Sequence, residues 1–204
     1  MPIFVVFEGI DGSGKSSQAS NLMSSLIKRD YPTILTQEPS GTAVGLSIDQ
    51  WLKSPSKRSP LTELFLFSAA RAEHVTSVIK PALANGHMVI CDRFTASTVA
   101  YQSYGRGLDP KLVHQVNKIA TQGLEPTLTI LLDTPLNSAL SRLPVPDLDA
   151  FEREDQAFRQ RVMEGYSVMA LESPEAWLVL DGTLSKNTLS EAIWRRVETV
   201  LQNR

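Results

Sequence analysis

The stretch Glu8-Gly-Ile-Asp-Gly-Ser-Gly-Lys-Ser-Ser17 restricts the fold of this chain more than any other. It follows the apolar run Ile3-Phe4-Val5-Val6-Phe7 and precedes a segment of helical periodicity. Gly9, Gly14, Lys15 and Ser16 satisfy the spacing G-x-x-x-x-G-K-[ST] of a phosphate-binding P-loop. Glycines there let backbone N–H groups turn towards a polyphosphate without Cβ interference. The helix that starts in the loop aims its unpaired N–H groups and positive dipole end at the same anion. Lys15 offers a point charge to the β- and γ-phosphates, and the Ser16 hydroxyl suits a Mg²⁺ ion. A Gly-rich turn that merely happened to hold Lys-Ser would need neither the strand before it nor the helix after it. The chain is thus expected to bind a nucleoside triphosphate, its phosphates surrounded by Gly9, Ile10, Asp11, Gly12, Ser13, Gly14, Lys15, Ser16 and Ser17.

The rest of the chain alternates short apolar runs with helical patterns. Ala19, Leu22, Met23, Leu26 and Ile27 form a one-faced stripe on the first helix. Strands are expected at 33–36, 88–91, 128–132 and 177–180. Helices are expected up to about Lys53, from Pro60 to about Asn85-Gly86 with a kink at Pro81, and from Asp92-Arg93 through Tyr101. Further helices are expected from Asp109-Pro110 to Gln122, at 135–143, at 152–172 and along Leu189, Ile193, Val197 and Leu201. Tyr104-Gly-Arg-Gly107 reads as flexible. Strand–helix alternation of this kind means βαβ units, hence an α/β fold with a parallel sheet of about five strands flanked by helices. Ligands of such sheets bind beyond the C-terminal strand ends, where the P-loop, Glu38, Asp92-Arg93 and Asp133 all fall.

With 204 residues, one domain over 1–204 is expected, large enough for a real core. A net charge of −2 argues against a nucleic-acid partner, which calls for clustered, uncompensated Lys and Arg. No run is long enough to span a bilayer, and the N-terminus lacks the basic region of a signal peptide. The single cysteine, Cys91, fits a reducing cytosol and reads as buried filler. His74, His87 and His114 show no metal-ligand spacing and read as surface or packing residues. A guanine-reading N-K-x-D segment is missing: Asn117-Lys-Ile-Ala120 lacks the Asp and lies within an expected helix.

Several motifs in order carry a more specific signal. Phe7-Glu-Gly-Ile-Asp-Gly-Ser-Gly-Lys15, Glu38-Pro-Ser-Gly-Thr42, Leu66-Phe-Ser-Ala-Ala-Arg71, Asp92-Arg-Phe94, Ser97-Thr-Val-Ala-Tyr-Gln102 and Phe158 through Tyr166 resemble the thymidylate kinases of the bacterial type. The resemblance spans residue 3 to about 170. It implies a nucleoside monophosphate kinase fold with a short lid at about 142–153, a homodimer, and transfer of the γ-phosphoryl group of ATP, with Mg²⁺, to dTMP. It also implies that Phe67 stacks on thymine, that Arg71 reaches a base carbonyl, and that Thr98 and Tyr101 read the base edge and crowd the sugar 2′ side. Gln102 is a further candidate at the base, Asp11 at the sugar 3′-OH, and Glu38-Pro39 belong to the same acceptor site.

The residue chemistry agrees with that reading. A phosphate monoester, with a second pKa of about 6, is already an anion and needs no general base. The work is positioning and charge neutralisation. Arg93 is a fork for the acceptor phosphate, and Asp92 is suited to organising Mg²⁺ or its waters, although such a pair can also simply close a strand. On pattern alone, without the resemblance, Phe67 in the core and Arg71 solvated would be the favoured reading.

The chain departs from the family pattern in the lid. Ala150 stands where an Arg is expected, and no Arg lies between Arg142 and Arg153. The other class of the family carries an Arg in the P-loop, which here reads Asp11-Gly-Ser-Gly14. Arg142 matches the position that packs on adenine. Arg153 is the remaining candidate for the transition-state charge, though an exposed helix residue is the favoured reading of it. Ser40 and Gln37 replace a usual Gly and Arg beside Glu38-Pro39.

Overall fold

The computed structural model of the protein describes residues 2–54, 58–142 and 154–203. Strands β1 (Phe4–Glu8), β2 (Thr33–Gln37), β3 (Met88–Asp92), β4 (Leu128–Asp133) and β5 (Trp177–Asp181) form one sheet in the order β2-β3-β1-β4-β5. Every pairing is parallel, with Val5 opposite Ile90 on one side and Leu128 on the other. The central place of β1 explains its unbroken apolar run, because both its faces are covered. Ile3, Val5 and Phe7 pack with Leu22 and Leu26 of helix α1 (Lys15–Ile27) and Ile193 of the C-terminal helix, Lys186–Gln202. Phe4 and Val6 face the other way, onto Val75, Ile79 and Phe94. Alternation along the strand thus feeds two cores. Ile27, expected on the apolar stripe of α1, is half exposed in its last turn.

Helix α2 covers Ala43–Lys53, and α3 covers Pro60–His74. Ser59 caps α3 by accepting the Thr62 N–H, with Pro60 in the first turn. After α3 the chain widens to π-helical winding over Val75–Ile79 and then re-enters α4 (Lys80–Ala84). Pro81 cannot donate to the preceding turn, and the wider winding lies just ahead of it. A second π-helical stretch, Val99–Gly105, continues from α5 (Thr95–Thr98). There the Arg106 N–H donates to the Tyr101 carbonyl, five residues back, at 2.9 Å. Of the segment expected to be flexible, Tyr104 and Gly105 are therefore helical, and Arg106 forms a turn after them. Arg106 pins its end to Glu63 at 2.9 Å and to Glu154 at 2.6 Å.

The remaining helices are α6 (Pro110–Thr121), α7 (Leu136–Leu140), α8 (Gln156–Glu172) and α9 (Lys186–Gln202). Arg142 is the one residue of the expected lid among those described. Ala150 and Arg153 lie outside the described residues.

Candidate active site

The P-loop connects the central strand to α1 and lies at the C-terminal edge of the sheet. Gly14 caps α1 with φ 101°, and Gly9 and Gly12 also take positive φ. At Gly12, with φ +79°, a Cβ would lie 2.1 Å from the Ala139 carbonyl oxygen. Both the conformation and the close approach of α7 require glycine there. Lys15 is buried and its Nζ donates to the carbonyls of Gly9 and Ile10 at 3.0 and 2.9 Å. Burial pushes its pKa down, nearby Arg93 adds to this, and Asp11, Asp92 and Glu8 only partly oppose it, leaving about 8. Gly9 and Ile10 thus act through their carbonyls from beneath the loop, while the Ile10 side chain joins the core.

The Ser16 hydroxyl donates to Asp92 Oδ2 at 2.6 Å, joining the start of α1 to the end of β3. A hydroxyl and a carboxylate so placed are the hard oxygen donors that Mg²⁺ takes. Among the described residues no group of three or more His, Cys, Asp or Glu could hold a metal. An ion with one or two protein oxygens and several from phosphate and water suits such a site.

Arg93 follows Asp92 with φ 70°, a left-handed conformation that is uncommon for a non-glycine residue. Its guanidinium meets Asp11 Oδ1 at 2.5 Å, and also donates to the Gly9 carbonyl (3.1 Å) and to Ser97 Oγ (3.2 Å). Burial works against the Arg93 charge, but Asp11, Tyr101, Tyr166 and Asp92 together outweigh it and raise the pKa, so the group stays cationic. For Asp11, burial pushes upwards while Arg93 and then Lys15 pull harder downwards, to about 2.

What holds this corner is Glu8, which sequence reasoning left unassigned. The carboxylate is fully buried and accepts four hydrogen bonds. Oε1 takes the N–H groups of Phe94 (2.9 Å) and Ser97 (3.1 Å), and Oε2 takes the hydroxyls of Ser97 (2.6 Å) and Tyr166 (3.0 Å). Tyr166 Oη also lies 3.4 Å from an Arg93 nitrogen. Glu8 therefore fixes Phe94 and Ser97, which follow Arg93 in the chain, and Ser97, quoted above only within a motif, is part of this mount. Burial pushes the Glu8 carboxyl up despite these bonds. The signal in the sequence was a lone carboxylate ending an apolar central strand.

Two cavities open at this edge. One is lined by all nine residues expected around the acceptor: Asp11, Glu38, Pro39, Phe67, Arg71, Arg93, Thr98, Tyr101 and Gln102. The other is lined by Asp11 through Ser17, Asp92, Arg93 and Arg142. Arg142 is exposed and donates to the Gly182 carbonyl at 3.1 and 3.2 Å.

Arg71 is neither solvated nor free. Only 2% exposed, it donates through Nε and Nη2 to Glu38 (both 2.8 Å), through Nη1 to Thr98 Oγ1 (2.8 Å) and Asn117 Oδ1 (2.7 Å), and through Nη2 to the Phe94 carbonyl (2.9 Å). These contacts engage the whole guanidinium fork. Reaching a base carbonyl would require Arg71 to exchange one of these partners. Asn117, within a motif remnant set aside above, and His74, read as surface or packing, are both buried here. His74 lies 3.2 Å from Glu38 and 2.6 Å from Thr36 Oγ1. Gln102 places its amide 3.5 Å from Glu63. The unusual pair Gln37 and Ser40 bond each other at 2.7 Å.

The two cavities share Asp11, Glu38, Pro39, Asp49, Lys53 and Arg93. A shared wall of this kind is what moving a phosphoryl group between two nucleotides requires. Together with the strand order, it puts the chain among the P-loop nucleoside monophosphate kinases. A family profile described as thymidylate kinase matches residues 7–193. The thymidylate kinase of Dehalococcoides mccartyi is 45% identical, with 99% of each chain covered, and that of Thermomicrobium roseum is 41% identical over 99% of this chain and 97% of the other. The crystal structure of thymidylate kinase from Ehrlichia chaffeensis superposes with a TM-score of 0.80 at 32% identity, covering 97% of this chain and 98% of that one. The chain belongs to the thymidylate kinase family.

Proposed function

We propose that this chain, a single P-loop kinase domain with its lid at about 142–153, transfers the γ-phosphoryl group of ATP to dTMP, giving ADP and dTDP. The observation that carries this reading is the pair of cavities meeting at Arg93 and Asp11. The P-loop, Lys15 and Ser16 hold the donor phosphates, with Arg142 towards the adenine. Phe67, Thr98, Tyr101 and Gln102 enclose thymidine, and Arg93 orients the acceptor phosphate. Arg71 shapes the same pocket by holding Glu38, Thr98 and Asn117. Mg²⁺ held by Ser16 and Asp92 would neutralise charge on the transferring group.

Lacking an Arg at 150 and within the P-loop, the chain has Arg153 as its remaining lid candidate for the transition state. We further assign a homodimer in the cytosol. The family resemblance supports it, as do the exposed apolar side chains of Leu46, Trp51, Leu61 and Phe65 on or beside the mutually packed α2 and α3. Cys91, wholly buried and with its thiol pKa pushed up by burial, acts as core filler.

The test is ADP release from ATP·Mg²⁺ with dTMP, dUMP, UMP, CMP, AMP and thymidine supplied separately. Turnover on dTMP well above all others is expected. Faster turnover on another acceptor would overturn the base-reading assignments.

A further inference from the structure

The charges on the shared wall of the two cavities are mostly committed. Asp11 is paired with Arg93, and Glu38 with Arg71. Arg71 lines only the acceptor cavity and its donors are engaged. Among the described residues, the cations that line both cavities are Arg93 and Lys53. Arg93 shares its guanidinium with Asp11, Gly9 and Ser97. Lys53 belongs to the last turn of α2. Its side chain is 53% exposed, and its ion-pair partner is Asp49, one turn back at 2.7 Å and only 13% exposed. Such an i, i+4 pair at a solvent-facing site is weak and exchangeable. Asp49 thus keeps Lys53 at the mouth of the acceptor cavity without consuming its charge.

We propose that Lys53 binds the phosphate of the acceptor nucleotide, swinging from Asp49 to the incoming dianion and completing the anion site together with Arg93. Lys suits this role, because a point charge on a flexible stem can follow the phosphate as it gains a second phosphoryl group. A Lys at this position could instead serve only to offset the C-terminal dipole of α2, and the two roles separate by experiment. The inference rests on the acceptor reading above, so the assay is chosen to tell the two apart.

The experiment measures dissociation constants of dTMP and thymidine for wild-type protein, Lys53→Met and Lys53→Arg, with KM for ATP and the thermal midpoint alongside. A charge-assisted contact of this kind corresponds to roughly tenfold to a hundredfold in affinity. Lys53→Met is therefore expected to weaken dTMP by that factor while leaving thymidine binding and KM for ATP unchanged, and Lys53→Arg to recover most of the loss. Asp49→Asn, which removes the competing carboxylate, is expected to tighten dTMP. The proposal is overturned if Lys53→Met binds dTMP within threefold of wild type, or weakens thymidine equally, or loses only thermal stability. Wild-type protein that binds thymidine as tightly as dTMP would instead overturn the acceptor-site reading itself.

Discussion

Tyr166→Phe removes a single oxygen from the mount of Arg93, and its effect can be worked from the structure. The hydroxyl is buried, donates to Glu8 Oε2 at 3.0 Å and contacts Ser97 Oγ at 2.9 Å. The ring stays, so the packing of Tyr166 with Phe158 and Val162 is retained and no sizeable cavity forms. What is lost is a hydrogen bond to a buried carboxylate, which contributes about 1.5–3 kcal/mol. For a chain of this length that lowers the thermal midpoint by roughly 3–12 °C. Urea unfolding at pH 7 should show the same loss with an unchanged denaturant slope. Glu8→Gln in the Tyr166→Phe background should cost less than in wild type, because the two groups share one bond. Arg93 loses the Tyr166 hydroxyl and part of the support of Ser97, so kcat/KM for dTMP should fall while KM for ATP holds. A stability change under about 0.5 kcal/mol, or strict additivity of the two substitutions, would refute the argument that this network carries Arg93.

Other consequences follow from the same geometry. Lys15, depressed from 10.5 to about 8, holds fewer protons folded than unfolded between those values, so its contribution to stability should recover as pH rises through that window. Affinity for a non-hydrolysable ATP analogue should move the opposite way, weakening above pH of about 8, which a pH series of binding and melting measurements would check. Gly12→Arg should abolish nucleotide binding, since its side chain meets the Ala139 carbonyl at a positive-φ position, whereas Ala150→Arg should raise kcat by roughly tenfold or more. An unchanged kcat for Ala150→Arg would remove the argument from the lid. Arg71→Met leaves the buried Glu38 carboxylate with His74 as its remaining side-chain partner and should cost about 3–5 kcal/mol, read by urea unfolding.

The strands, their parallel pairing and the ligand-bearing edge were legible because β-type apolar runs alternate with capped helices, and the P-loop names one strand end outright. The nine residues proposed for the acceptor, which line one cavity, were legible only as motifs. No spacing rule brings Phe67 of α3, Arg93 after β3 and Tyr101 into one cavity; the crossover connections do that. What escaped was the support behind them. Glu8 and Tyr166 lie 158 positions apart, and Arg71 joins Glu38, Thr98 and Asn117 from three separate segments. Such contacts leave no periodic trace. The π-helical winding over Val99–Gly105 escaped for a related reason. Its local sequence reads as helix followed by a Gly-containing loop, and Arg106 settles the matter through Glu63 and Glu154.

The central claim is that two nucleotides lie end to end, with Arg93 at the junction. A crystal structure with dTMP and a non-hydrolysable ATP analogue with Mg²⁺ tests it most directly. The account predicts thymine beside Phe67 and Gln102, the dTMP phosphate on Arg93, and the analogue's terminal phosphate in line with it above the P-loop. A dTMP phosphate pointing away from Arg93, or dTMP occupying the P-loop cavity, would contradict it.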